Sequence, residues 1–101
     1  MTTMKIYISG KISGIEETAA VNFKVAEKGL ELCGFTPVNP MELKHNHDKT
    51  WQSYMKESIK ALCDCDAIFM LLNWEESKGA QLEKQIAINL NMSVLYQKQQ
   101  N

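Results

Sequence analysis

The chain has 101 residues, a size at which one hydrophobic core forms and two do not. Apolar residues make up 45% and charged residues 23%, which excludes a disordered or low-complexity chain. The formal net charge is -1, with eleven Lys and Arg scattered among twelve acids; no basic stripe is available to follow a phosphate backbone, so duplex nucleic acid is not an expected partner.

A single domain over residues 1–101 is expected. Its longest apolar stretch, Ala67 to Leu72, is far short of the ~20 residues a membrane span needs. With no secretory pattern at the N-terminus, no membrane partner and a cytoplasmic address are expected. The cysteines Cys33, Cys63 and Cys65 are odd in number, and the last two are too close in sequence for an ordinary bridge, so reduced thiols are expected. A zinc site could be assembled from Cys63, Cys65, His45 and His47. Neither pair has the usual structural spacing, so neither a metal nor a cofactor is expected.

Lys5 to Ser9 reads as a short strand running into the glycine-punctuated loop Gly10 to Gly14. From about Glu17 to Cys33, Ala19, Phe23, Ala26, Leu30 and Cys33 recur at helical spacing, and Gly34 ends the pattern. Phe35 to Val38 reads as a second strand, placed at an edge by Pro37 and closed by Asn39-Pro40. Met41 to Lys49 is polar and aperiodic, an exposed loop able to fold over a pocket, with His45 and His47 in solvent. Thr50 caps a second helix with Trp51, Met55, Ser58, Ile59 and Leu62 on its packed side, Trp51 acting as an anchor.

Asp66 opens a continuous apolar run to Leu72, the pattern of a central parallel strand covered on both faces. After the loop Asn73 to Glu76, Ser77 caps a third helix whose inward side is marked by Leu82, Ile86 and Leu90 until Asn91 stops it. Ser93 to Tyr96 is the last strand. This alternation predicts an α/β fold: a three-layer doubly wound (Rossmann- or flavodoxin-like) parallel sheet of about four to five strands.

Ligands of such sheets bind beyond the carboxyl ends of the strands. Ser9, Gly10 and Gly14 from the first loop should meet the start of the third helix there. Ser77-Lys78-Gly79-Ala80 offers a hydroxyl, free amides and a positive dipole end to an anion, although an ordinary cap uses the same residues. Gly10 and Gly14 do not make a dinucleotide fingerprint, and a turn alone accounts for them. Glu83 shares a face with Gly79, Ala80, Ile86, Ala87 and Leu90, so its carboxylate points inward. That position suits the border of a polar cavity, or else the edge of a stripe from which the side chain snorkels. Asp66 is a candidate site acid or a capping acid after the second helix. Tyr7 and Trp74 are core aromatics or base-stacking groups.

Tyr7-Ile-Ser-Gly10, Asn39-Pro40, Cys65-Asp66-Ala67 and Trp74-Glu-x-Ser77-x-Gly79-Ala80-x-x-Glu83 together cover nearly the whole chain. This set resembles the DUF4406 family, itself similar to the nucleoside 2-deoxyribosyltransferases and the 2'-deoxynucleoside 5'-monophosphate N-glycosidases. The resemblance implies Glu83 as the nucleophile at the anomeric carbon, through a glycosyl-enzyme intermediate. It implies Asp66 near the leaving base, with Tyr7, Ser9, Gly10, Lys11, Asn39, Trp74, Ser77, Gly79 and Ala80 binding substrate. Serine at 77, where the transferases carry aspartate, implies a 5'-phosphate rather than a free nucleoside. Lys11 and Lys78 stand where the small family commonly has proline and arginine, and the chain is shorter than the characterised enzymes. The resemblance further implies a homo-oligomer acting on a small nucleotide or nucleoside. The alternative expectation is a catalytically inactive nucleotide-binding or sensing module; a plainer one is an oligomerising structural domain.

Overall fold

The structure is a computed structural model that describes residues 3–99. Four parallel strands, β1 (Lys5–Ser9), β2 (Thr36–Val38), β3 (Ala67–Met70) and β4 (Ser93–Tyr96), lie in the order β2-β1-β3-β4. They alternate with α1 (Glu16–Leu32), α2 (Trp51–Cys63) and α3 (Lys78–Asn89). This is the doubly wound, flavodoxin-like order, and the chain reverses its direction of travel across the sheet between β1 and β3. β2 pairs with β1 alone, so Pro37 sits in an edge strand, where a missing N–H removes little from the ladder.

Alternation along the strands sorts side chains into two layers. Ile6 and Ile8 pack with Ala19, Phe23, Ala26 and Leu30 of α1 on one face. Tyr7, Ile68 and Met70 pack with Leu62 of α2 and Ala80 and Ala87 of α3 on the other. Because both faces of β3 are covered, its sequence is apolar throughout, and it lies inside the sheet as expected.

The helix ends follow from the sequence. Gly34, at a φ of 88°, lets the Phe35 N–H reach back to Leu30 O at 3.0 Å and closes α1. Asn91, at 58°, does the same for α3, with Met92 N–H bonded to Ala87 O at 2.9 Å. Thr50 and Ser77 accept from the backbone N–H of Ser53 and Ala80, capping α2 and α3.

Three expectations are corrected. The inward side of α3 is Ala80, Glu83 and Ala87; Leu82 and Leu90 are 39% and 54% exposed. Small side chains bring this helix close to the sheet and to α2, close enough that a Cβ on Gly79 would lie 3.0 Å from Met55 Sδ. Leu82 and Leu90 are thereby turned outward, while Ile86 stays partly buried against the core. His45 and His47 are not free in solvent either: both are partly buried, edge-on to the Tyr54 ring with centroids 5.0 and 4.5 Å away. Trp51 is not a packing anchor, being 38% exposed with the Lys78 ammonium 4.4 Å from its ring centre. Among the described residues no helix is long and apolar enough to cross a membrane.

Candidate active site

The carboxyl end of β1 opens into a cavity of about 750 Å³, within the range of small-molecule sites. Its floor is built by β1. Ile6 and Ile8 are committed to the α1 face, so Tyr7 and Ser9 must point at α3, and both end on Glu83. The Tyr7 hydroxyl donates to Glu83 Oε2 at 2.8 Å and the Ser9 hydroxyl to Oε1 at 2.7 Å. All three residues are buried, Glu83 being 5% exposed, yet all line the cavity.

Burial pushes the Glu83 carboxyl up to about 7, opposed by the two hydroxyls, whose hydrogen bonds favour the charged form. Burial and then the Glu83 charge push the Tyr7 phenol well above its ordinary value, so it stays a donor. The group thus exchanges its proton near neutrality while each carboxyl oxygen is held in a fixed direction. Such a carboxyl can act as nucleophile, base or acid.

Beside it, Ser77, Lys78, Gly79 and Ala80 line the cavity at the amino end of α3. The Ser77 oxygen accepts from Ala80 N–H at 3.1 Å, leaving its own proton available to a ligand. Gly10 is required by space, since a Cβ there would stand 2.7 Å from Leu71 Cδ1. Lys11 donates its backbone N–H to Asn73 Oδ1 at 3.0 Å, tying the first loop to the segment after β3, and its ammonium lies 3.6 Å from Glu76.

Tyr7, Ser9, Gly10, Lys11, Ser77, Gly79, Ala80 and Glu83 therefore converge on one cavity, and three expected site residues do not. Asp66 is exposed at the amino end of β3, where its carboxylate accepts from Lys5 N–H at 2.9 Å. Parallel pairing leaves it opposite Lys5, while Glu83 meets Ser9 four residues further on, ~13 Å along the strand. Asp66 caps the sheet margin, outside the cavity. Asn39 is buried, with its side-chain oxygen accepting from Met41 N–H, and it stiffens the turn after β2 instead of lining the cavity. Trp74 faces away, 6.2 Å from the Tyr96 ring with Lys84 at 4.2 Å, along a separate shallow groove.

The loop after β2 folds over the cavity, as its polar, aperiodic sequence allowed, and supplies Met41 and His45 to the opposite wall; sequence reading missed the α2 part of that wall, Trp51, Tyr54 and Ser58. Ser58, which neighbours the Tyr7 phenol, carried the signal Glu83 did, a polar residue on an otherwise apolar helical stripe. Within the loop, nothing singled out Met41 or His45 individually. His45, His47 and Glu57 bring ligand-type atoms within 4.8 Å of one another. Lys49 N–H donates to His47 Nδ1 at 3.0 Å, which puts the ring proton on Nε2, the atom facing the cluster. In that tautomer Nε2 would have to give up its proton before it could bind a metal.

The model of a family described as Domain of unknown function (DUF4406) matches residues 4–96. No curated protein matches the sequence. Among solved structures the fold is similar, at a TM-score of 0.71 and 20% identity, to a chain described as 2-desoxiribosyltransferase from Leishmania mexicana. The likeness covers 92% of this chain and 63% of that one, so the present chain spans under two thirds of its length.

Proposed function

The chain belongs to the DUF4406 family, and from its cavity we propose that it is an N-glycosidic-bond enzyme that uses Glu83 as nucleophile on 2'-deoxynucleoside 5'-monophosphates. The observation that carries this reading is the Glu83 carboxyl, buried, gripped by two hydroxyls and open to a nucleotide-sized space beside the start of α3. A carboxylate suits attack on the anomeric carbon because its charge stabilises an oxocarbenium-like transition state, and covalent capture divides one hard displacement into two easier ones. Tyr7 and Ser9 hold the attacking oxygens. Ser77, Gly79, Ala80 and Gly10 receive the 5'-phosphate on amides and a hydroxyl, and Lys11 and Lys78 add charge.

The sugar–enzyme ester is then resolved by water or by a second base, which makes the enzyme a hydrolase or a transferase. Neither route needs a cofactor. The same reading treats the whole chain as one cytoplasmic catalytic domain with reduced thiols, working as a homo-oligomer on a small nucleotide. Incubating the protein with a panel of deoxynucleotides should release free base, and Glu83→Gln should stop the release while retaining binding. Binding without release, equal in both proteins, would assign the cavity to a nucleotide-sensing module instead.

A further inference from the structure

With Asp66 outside the cavity, the leaving base lacks the proton donor expected for it. We propose that His45 is the catalytic acid–base residue of the site, positioned by Glu57. The inference rests on the glycosidase reading above.

His45 lines the cavity that Glu83 opens into, from the wall the loop after β2 supplies. Its Nδ1 bonds to Glu57 Oε1, its backbone oxygen accepts from the Lys49 ammonium, and the Tyr54 ring meets it edge-on. The charged or titratable groups facing it are thus Glu57 and Tyr54 from α2 and His47 and Lys49 from its own loop. With Nδ1–H directed at a carboxylate, the exchangeable position is Nε2, which has no protein hydrogen bond among the described residues and is not a buried unpaired atom. Histidine gives and takes protons at neutral pH, and a base oriented by a third group is the recurring arrangement for such work. Glu57 Oε1 also lies 3.8 Å from His47 Nε2, a buried nitrogen with no hydrogen-bond partner among the described residues.

In the first half of the reaction a Glu83 oxygen bonds to the anomeric carbon while the bond to the base breaks. Its electron pair goes to the base nitrogen, and the proton on His45 Nε2 goes to the base. In the second half neutral His45 takes a proton from water, whose oxygen displaces the Glu83 carboxylate and restores the imidazolium. The sum is nucleotide plus water giving free base and deoxyribose 5-phosphate. One residue serves as acid and then as base because both the leaving base and the incoming water occupy the sugar face opposite Glu83.

His45→Gln should be compared with the unmodified protein on 2'-deoxyguanosine 5'-monophosphate and on its 7-methyl derivative, whose base already carries a positive charge and departs without a donor. The variant should lose about 100-fold or more in kcat on the first and far less on the second, whose turnover also reports an intact fold. Glu57→Gln should lower kcat on the first substrate while leaving KM and turnover of the methylated one nearly unchanged, a split a merely structural contact would not produce. Equal losses on both substrates, or no loss on either, would overturn the role of His45 and leave the Glu83 chemistry standing. Failure of the unmodified protein to cleave either substrate would sink the glycosidase reading and this inference with it.

Discussion

Two acids flank the central strand pair. Glu83 stands at its carboxyl end, buried and held by Tyr7 and Ser9, with its carboxyl pushed up to about 7 by burial. Asp66 stands at its amino end, exposed and hydrogen-bonded to the Lys5 backbone N–H. Both belong to short motifs that look functional in sequence. What separates them is strand direction: parallel pairing gathers the helix N-termini and open loops at one end only, so a carboxylate there faces a cavity and one at the other end faces water. Access to the cavity in this fold follows the end of the sheet, not the residue type.

The sharpest way to break that contrast is in turnover. Glu83→Gln should lower base release by about 10³-fold or more, as loss of a nucleophile does, whereas Asp66→Ala should leave kcat within about twofold. Comparable losses in the two variants would show that the ends are not functionally distinct.

Stability against pH should separate them next. The Glu83 value is raised above the unfolded one, so its contribution is fully present below about pH 4.5 and is lost as pH rises through about 7. Between pH 4.5 and 8 the unmodified protein should lose about 3 kcal/mol relative to Glu83→Gln in urea unfolding. Parallel curves would mean that the carboxyl is not desolvated.

Gly10→Ala probes the packing beneath the same end. The added methyl would stand 2.7 Å from Leu71 Cδ1 and 2.9 Å from its Cβ, and should cost about 1–3 kcal/mol. An unchanged Tm would place Leu71 elsewhere.

Tyr7→Phe deletes one donor to Glu83 and should cost about 1.5–3 kcal/mol at pH 8, where the acceptor is charged, and less at pH 5. A cost independent of pH would argue against a charge-assisted bond. Asp66→Ala should cost the least, about 0.5–1.5 kcal/mol, for a single exposed hydrogen bond to Lys5.

The layered architecture was legible because it is written in short-range patterns. Lys5 to Ser9 read as a strand, an all-apolar β3 announced cover on both sides, and Gly34, Thr50, Ser77 and Asn91 marked helix ends. Glu83 stood out for a similar reason: a charge among Gly79, Ala80 and Ala87 on one helical face has few places to go. The same logic misled on α3 itself, where Leu82 and Leu90 continue a stripe as regular as the true one, although Ile86 does pack against the core. Periodicity identifies candidate faces, but the closeness of the sheet and α2 decides which is used, and here small residues won.

Sequence by itself thus determined the strands, the helices, their parallel order and one inward-pointing acid, since each depends on residues within a turn or two of one another. Only tertiary structure decided that Asp66, Asn39 and Trp74 lie outside the cavity while His45, Trp51, Tyr54 and Ser58 line it. Those placements depend on which end of a strand a residue occupies and on how the loop after β2 folds against α2. Distances of that kind are set between segments far apart in the chain, and no local pattern encodes them.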